Sequence, residues 1–359
     1  MSIHTYQCPQ CSAPLVWQAD ALRCENCGAE YKPEDMQALY EILAENEAGG
    51  YELNWQNAEH TAQFGAEEAA NMRAYTCPGC GASIVTDKTT AATRCVYCGN
   101  NAMMPENFEG GLRPDVIIPF SITREQAEKT LRAHFEKKPL LPADFRRACR
   151  VEDVTGLYVP YFLFDCEADA RATYRATRVR SYTRGDWHIT DTSHYYVERC
   201  ARVTFDRVPV DAIKRVENVL TEAVEPFEYA SCRRFDAGYL AGYQADCRDQ
   251  QPQECAPRAN ERMKTSAEAA LRATVAGYTT VAEQTSGVRL AHGDVEYAML
   301  PVWLLNVCYG DQVFPFAVNG QTGKLVGELP VDKKKYRMIK WGGFAALWAL
   351  AAIVTAFFL

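Results

Sequence analysis

Positive charge is scarce in this chain. Its 359 residues hold 38 lysines and arginines against 46 aspartates and glutamates, which gives a formal net charge of −8. A protein that binds duplex DNA needs a basic face to displace the counterions around the phosphates. The composition therefore disfavours nucleic acid as a partner, although folding can still gather a local basic patch.

Sequence motifs of several common enzyme classes are also absent. The chain has no G-x-S-x-G, no H-E-x-x-H and no G-x-G-x-x-G. The segment GQTGK looks like a phosphate-binding loop, but only Gln321 and Thr322 separate Gly320 from Gly323 and Lys324, where that loop needs four residues. We therefore expect a protein that binds and assembles, with no enzymatic activity and no small-molecule substrate.

A secretory signal segment is a third absence, because the N-terminal residues show no basic stretch followed by an apolar one. Disulfides need an oxidising compartment, so we expect the fifteen cysteines to be reduced and to face the cytosol. Eight of them form pairs, and the others are expected to be mostly buried thiols without the base that a nucleophile needs. These other cysteines are Cys149, Cys166, Cys200, Cys232, Cys247, Cys255 and Cys308.

What the sequence does contain is four C-x-x-C pairs. The pattern C-x-x-C bends the backbone into a knuckle that presents two sulfurs to one ion, and a second knuckle completes a tetrahedral zinc site. Glycines follow three of the pairs, where the chain must turn sharply. The spacing predicts two zinc ribbons, with ligands Cys8, Cys11, Cys24 and Cys27 in the first and Cys77, Cys80, Cys95 and Cys98 in the second.

These two Zn²⁺ ions are predicted to be structural. Four protein ligands leave no coordination position for water or substrate, and ribbons this small depend on the metal for folding. The alternatives are disulfides or a thioredoxin-like redox site. Disulfides conflict with a reducing compartment, and a redox pair gives no reason for cysteines to come in fours.

The end of the chain predicts a transmembrane helix over residues 341–359. This segment carries no charged side chain, and nineteen helical residues at ~1.5 Å each span ~28 Å, close to the hydrocarbon core of a bilayer. By the positive-inside rule, the preceding basic residues place the bulk of the chain in the cytoplasm, as a single-pass protein of the cell membrane. These membrane-flanking residues are Lys333, Lys334, Lys335, Arg337 and Lys340. The alternative is a buried core helix.

The middle of the chain predicts an α+β domain rich in antiparallel hairpins. Thr123 and Gln126 form a capping box that starts a helix, and long runs of β-branched and aromatic residues flank a turn at Gly185 and Asp186. The segments PYFLFD and PVWLLN resemble each other weakly, which makes a two-fold internal repeat one possible arrangement of this domain. Five arginines lie on the two sequence runs around this turn. Because acidic residues are interspersed among them, we expect these arginines to line a solvated strand face, and the alternative is that they contact an anionic surface. They are Arg171, Arg175, Arg178, Arg180 and Arg184.

The predicted organisation is therefore multidomain. Its parts are zinc ribbon 1 (1–35), a helical acidic linker (36–72), zinc ribbon 2 (73–106), the α+β domain (107–332), a basic juxtamembrane segment (333–340) and the transmembrane helix (341–359).

A family resemblance rests on several of these segments together. They are the two CPxC…CxxCG patterns, IIPF, VPYFLFDC and NGQTGKLVGELPVDKKK. Over nearly its full length the chain resembles the bacterial TFIIB-type double zinc-ribbon membrane proteins that are encoded beside SPFH-domain and phage-shock-protein-A-type proteins.

The resemblance implies a membrane-anchored cytoplasmic scaffold that recruits an SPFH-domain protein and a phage-shock-type protein to the inner face of the membrane in envelope stress. A second small membrane protein is a further implied partner, and no catalytic residue is carried over. The alternative is a zinc-ribbon nucleic-acid-binding protein, related to replication or transcription and held at the membrane.

Overall fold

The structure is a computed structural model. It describes residues 6, 8, 13–18, 20–34, 36, 55, 62–92, 94–108, 111–149, 153–214, 222–310 and 312–358. The strands are β1 (Leu15–Gln18), β2 (Ala21–Cys24), β3 (Glu30–Tyr31), β4 (Met72–Thr76), β5 (Ser83–Asp87), β6 (Met104–Asn107), β7 (Val116–Ile117), β8 (Thr155–Arg184), β9 (Trp187–Asp211), β10 (Arg233–Arg234), β11 (Gln244–Asp246), β12 (Thr280–Tyr309), β13 (Gln312–Asn319) and β14 (Leu325–Gly327). The α-helices are α1 (Ala66–Ala70), α2 (Arg124–Glu136), α3 (Ala143–Ala148), α4 (Pro252–Ala273) and α5 (Lys333–Phe358).

Most of the described chain is β-sheet. A small sheet has the strand order β1-β2-β3. A large mixed sheet has the strand order β10-β7-β12-β8-β11-β5-β4-β6. Three further strands branch from this order: β9 pairs with β8, β13 pairs with β12, and β14 pairs with β13. Parallel pairing joins β7 to β12 and β8 to β11, whereas β4, β5 and β6 pair antiparallel. The predicted α+β class is therefore wrong.

The physical reason lies in strand length. β8 and β12 each run for 30 residues and β9 for 25, so runs that resemble separate local hairpins are continuous strands of one sheet. The chain forms two compact units, made of residues 1–59, 162–210 and 251–296 and of residues 60–161, 211–250 and 297–359. Strands β8 and β12 each contribute residues to both units, so two consecutive α+β halves do not describe this fold.

The predicted transmembrane helix over 341–359 is also wrong. Within the described residues, no helix combines the length and the apolar character needed to cross a bilayer. Helix α5 takes in all five predicted flanking cations in its first eight residues. Leu359 and the side chains of residues 345, 346 and 349–358 lie outside the described part.

In the first unit, small side chains let helix α4 approach strand β8 closely. From Asp165 to Ala172 the buried positions of β8 alternate, and four buried residues of the strand are alanines: Ala168, Ala170, Ala172 and Ala176. The helix presents a buried stripe at helical spacing that includes Ala259, Met263 and Ala267. Cys166 Sγ lies 3.1 Å from Met263 Sδ, which places the even-numbered face of β8 under the helix.

In the second unit, helix α2 packs on strands that lie beside the second cysteine cluster. Its capping box forms as the sequence predicts, since the Thr123 amide donates to Gln126 Oε1 at 2.9 Å and the Gln126 amide to Thr123 Oγ1 at 3.4 Å. Its buried residues Ala127, Leu131 and Phe135 share one apolar cluster with Trp303, Leu305 and Val307 of β12 and with Phe316 and Val318 of β13. This packing fixes the position of β12 beside the second cysteine cluster.

Candidate metal centres

The second cysteine cluster has the geometry of a zinc tetrathiolate. The Sγ atoms of Cys77, Cys80, Cys95 and Cys98 all lie within 4.8 Å of one another. Cys77 and Cys98 are 3.5 Å apart, and Cys80 and Cys95 are 3.6 Å apart. Zinc–sulfur bonds of ~2.3 Å in a tetrahedron separate the sulfurs by ~3.8 Å. The cluster is therefore close enough to hold one ion, and its four thiols match the donors of a structural zinc site.

Backbone hydrogen bonds explain how the sequence builds each knuckle. The Cys77 amide donates to Ala82 O at 2.9 Å, and the Gly81 amide donates back to Cys77 O at 2.8 Å. The same offsets recur in the other knuckle of this cluster, from Cys95 to Asn100 and from Gly99 to Cys95. Gly81 and Gly99 have φ of 72° and 73°, a conformation that side chains disfavour.

The first cluster repeats this construction. Cys8, Cys24 and Cys27 have their sulfurs within 4.8 Å of one another, and Cys8 lies 3.5 Å from Cys27. The Cys24 amide donates to Ala29 O at 2.8 Å, and Gly28 has φ of 74°. Cys11, the fourth predicted ligand, lies outside the described residues. The three described thiols are therefore close enough to hold a second ion.

Ionisation of the second cluster favours a cation among the sulfurs. Burial raises the pKa of Cys77, but the amides of Cys80 and Gly79 and the thiols of Cys98 and Cys80 outweigh it, so that the net pKa is about 7. Burial raises the pKa of Cys80 and of Cys95. Four thiolates at this spacing would repel one another, so a cation bound among them would supply the compensating positive charge, and its binding would release protons.

Three side chains fasten the second cluster to the sheet of its own unit. The Tyr97 hydroxyl hydrogen-bonds the Asp246 carboxylate of β11, and Asn306 Nδ2 of β12 donates to the carbonyls of Val96 and Tyr97 inside the knuckle. Arg94 donates from Nε to Gly99 O at 3.2 Å and lies 3.2 Å from Asp153 through Nη1. Sequence reasoning missed this anchorage. Its one visible signal is Asn306, a polar residue that ends the apolar run PVWLL.

The first cluster is fastened through tyrosines. Cys8 Sγ lies 3.6 Å from the Tyr31 hydroxyl, and the Tyr31 ring packs edge-on against Tyr196 of β9 with centroids 5.7 Å apart. Burial and the contact with Cys8 raise the pKa of Tyr31, so the phenol stays protonated. The tyrosine therefore links a metal ligand to the long β8–β9 hairpin of the first unit.

A further anchor of the second ribbon is Asp87 at the end of β5. Its carboxylate accepts hydrogen bonds from the amides of Thr89 and Thr90 at 2.6 and 2.9 Å, from both threonine hydroxyls, and from the Gly242 amide at 3.1 Å. Burial raises the pKa of Asp87, but these bonds outweigh it and lower the pKa to about 2. An aspartate with hydrogen-bonding residues two and three positions after it, as in Asp87-Lys88-Thr89-Thr90, is typical of a turn, so the sequence held a signal for this group.

Replacing Asp87 with Asn is expected to lower the free energy of unfolding by about 2 kcal/mol at pH 7. The folded-state pKa is depressed, so this stabilisation is full above the unfolded-state pKa of about 4 and is lost as the pH falls towards 2. Urea unfolding at pH 7 and at about pH 5.5 should give the same penalty, because the carboxylate is ionised at both. Asp186→Asn, at an exposed turn, is the control. A penalty that shrinks between these two pH values would contradict the assignment.

The cysteines outside the pairs are less buried than expected. Cys166 and Cys255 are buried, Cys149, Cys232 and Cys247 are half-buried, and Cys200 and Cys308 are exposed. None of the described cysteines forms a disulfide. The expectation that most of these seven thiols are buried is therefore wrong.

The second unit also contains a cavity of about 630 Å³ near the second cluster. Phe120, Tyr243 and Trp303 line it, together with Arg94 and Gln244, whose buried Oε1 has no hydrogen-bond partner. None of the described residues lining it is a histidine, cysteine or lysine. The lining therefore offers no nucleophile with a neighbouring imidazole or amine base.

Comparison with known proteins places the chain in a family. It is 31% identical over 326 aligned positions to "Uncharacterized protein YdjG" of Bacillus subtilis (strain 168), and the match covers 76% of this chain and 96% of that protein. The chain belongs to the YdjG family. No protein-family model matches the chain, and no solved structure matches it. Because the match covers nearly all of YdjG, the YdjG family shares the bulk of the fold described above.

Proposed function

We propose that the chain is a non-enzymatic, zinc-stabilised scaffold that presents protein-binding surfaces at the cytoplasmic face of the cell membrane. The observation that carries this proposal is the closed cluster of four thiols within 4.8 Å of one another. Four sulfurs fill the tetrahedral shell of zinc, so no position remains for a substrate or a metal-bound water. The metal then serves to hold loops in place, and rigid loops lose little entropy when a partner binds.

The partners we propose follow from the family resemblance. They are an SPFH-domain protein and a phage-shock-type protein, with a second small membrane protein as a companion, in a response to envelope stress. The anchorage of the second cluster supports a scaffold role, because its hydrogen bonds with Asp246 and Asn306 hold the cysteine knuckle against the sheet. A nucleic-acid role has less support, since the whole chain carries a formal charge of −8.

Attachment to the membrane face is supported by the described part of α5. Lys333, Lys334, Arg337 and Lys340 are exposed in its first turns, and Trp341 and Trp348 follow with 68% and 78% of their surface accessible. Basic side chains attract the anionic headgroups of the cytoplasmic leaflet, and tryptophan favours the interfacial region. We propose that this basic and aromatic stretch lies against the lipid surface.

Affinity purification of the tagged full chain from detergent-treated membranes, followed by mass spectrometry, tests the scaffold. We expect an SPFH-domain or phage-shock-type protein to be recovered, both with the wild type and with Cys308→Ser, which changes an exposed thiol outside the clusters. Recovery should fall when the second cluster is disrupted. Recovery of lipid alone would contradict the proposal, and salt-dependent binding of DNA by the purified chain would favour the nucleic-acid alternative.

A further inference from the structure

The β8–β9 hairpin has a defined register, so its two faces can be assigned residue by residue. The turn is Gly185-Asp186, with Gly185 at φ of 61°, and it joins Arg184 directly to Trp187. Ser181 Oγ lies 3.0 Å from Thr190 Oγ1, in the register that this two-residue turn dictates. Arg202 Nε lies 3.0 Å from Asp169 Oδ1 in the same register farther from the turn. Alternate residues of each strand therefore share a face.

One face of this hairpin changes character where helix α4 ends. Beneath the helix, the even-numbered residues of β8 are mostly alanines, and the guanidinium of Arg272 near the end of α4 lies 5.9 Å from the Tyr174 ring. Beyond it, the same face becomes exposed. We call it the arginine–aromatic face, and its residues are Arg178, Arg180, Tyr182 and Arg184 of β8 and Trp187, Ile189, Asp191, Ser193 and Tyr195 of β9.

The other face of the hairpin tip is different in composition. We call it the threonine face, and its residues are Thr177, Val179, Ser181 and Thr183 of β8 and His188, Thr190, Thr192 and His194 of β9. It carries no lysine, arginine or acid. The two faces belong to the same strands, so strand formation alone does not account for the arginines and large aromatic rings on one side.

Aromatic rings hold two of the arginines in place. The Arg178 guanidinium lies 5.4 Å from the Tyr195 ring centre and 5.5 Å from that of Tyr278, and the Arg180 guanidinium lies 5.9 Å from that of Tyr182. Rings at these distances orient a guanidinium without neutralising it. Arg178 Nε also donates to Gly277 O at 3.2 Å. A group that is already ordered loses less entropy when a ligand binds, so the remaining N–H donors are prepared for an anionic partner.

We propose that the arginine–aromatic face docks an acidic segment of a partner protein. This rests on the proposed scaffold function and names one of its binding surfaces. Arginine, tyrosine and tryptophan are the residues that dominate binding energy at protein interfaces, whereas serine, threonine and valine, which fill the threonine face, are under-represented there. Trp187, with 76% of its surface accessible at the turn, supplies a large apolar anchor beside the charges.

The charges of the face favour a protein partner over a nucleic acid or a lipid. Three arginines can neutralise three phosphates at most. The affinity for a single strand would then fall with only about the second power of the salt concentration. Asp191 shares the face, and Asp186 occupies the turn, where both repel a dense layer of phosphates. An acidic protein segment needs only two or three ion pairs, and packing on Trp187 and Tyr182 can add apolar contact.

Fluorescence anisotropy with the zinc-loaded full chain tests the proposal. The probe is a fluorescein-labelled peptide of alternating glutamate and threonine, and the comparison probes are its lysine counterpart, a labelled single-stranded oligonucleotide and phosphatidylserine-containing vesicles. We expect the acidic peptide to bind best, and its affinity to fall about tenfold in Arg178→Ala/Arg180→Ala/Arg184→Ala and several-fold in Trp187→Ala. Thr183→Ala/Thr190→Ala/Thr192→Ala, on the threonine face of the same hairpin, should bind as the wild type does.

The other outcomes overturn the proposal. These are no binding of the acidic peptide, equal losses in the two triple variants, or tighter, arginine-dependent binding of the oligonucleotide or of the vesicles. Circular dichroism of each variant checks that the hairpin is folded. If the peptide binds as expected but no SPFH-domain or phage-shock-type protein is recovered from membranes, the docking face stands and the identity of the partners falls.

Discussion

Replacing Cys77 and Cys80 together with serine is expected to remove one metal ion per chain and to unfold the second ribbon. Metal coordination contributes on the order of 10 kcal/mol or more to folding in domains of this size. Apolar burial around the thiols is slight, because the buried cluster that surrounds them consists of Cys77, Ala82 and Cys95, two of which are predicted ligands. Without the ion, the remaining thiols would also repel one another once ionised.

Elemental analysis measures the first part of this prediction, and limited proteolysis the second. We expect the zinc content to fall from two ions to one, in keeping with the two clusters, and protease cleavage to appear between β4 and β6. Cys308→Ser removes an exposed thiol and should change neither result. Full zinc content in the double variant, or equal cleavage in the control, would show that these sulfurs do not hold a structural ion.

The cysteine clusters were accessible to sequence reasoning because their geometry is local. A C-x-x-C pair followed by glycine specifies one knuckle, and the hydrogen bonds from Cys77 to Ala82 and from Gly81 to Cys77 lie within six residues. The capping box at Thr123 and the turn at Gly185 are local in the same sense. Each depends on chemistry that a short window of sequence contains.

The sheet was not accessible, because its pairings are distant in sequence. β11 pairs in parallel with β8, setting Gln244 beside Leu157, and β7 pairs in parallel with β12, setting Ile117 beside Met299. Alternation of apolar residues predicts that a strand exists but not which strand lies beside it. The turn at Gly185 was therefore predicted in the right place, but the strands that it joins belong to a different fold class from the one predicted.

The C-terminal prediction failed because a hydropathy window does not see where a helix begins. The sequence divides a basic stretch, 333–340, from an apolar stretch, 341–359, but the structure continues one helix through both. The five cations of residues 333–340 therefore lie on the same helix as Trp341 and Trp348.

Replacing Asn306 with leucine is expected to be the most damaging single change outside the ligands. Leucine keeps the approximate volume but removes Nδ2, the donor to the carbonyls of Val96 and Tyr97. A buried carbonyl left without a partner costs about 1–3 kcal/mol, so two should lower the free energy of unfolding by about 3 kcal/mol. Asn306 is half-buried, which lets water offset part of this loss.

The expected signature of Asn306→Leu is a coupled loss of stability and of metal affinity. Because Val96 and Tyr97 lie between the ligands Cys95 and Cys98, loosening their carbonyls frees the knuckle to leave its liganding conformation. Zinc competition with a chromophoric chelator should show about tenfold weaker binding at the second site, alongside lower stability in urea. Asn101→Leu, an exposed change in the same ribbon, is the matched control. Weaker stability with unchanged zinc affinity would mean that Asn306 supports the sheet alone, and that the metal knuckle holds its conformation independently of β12.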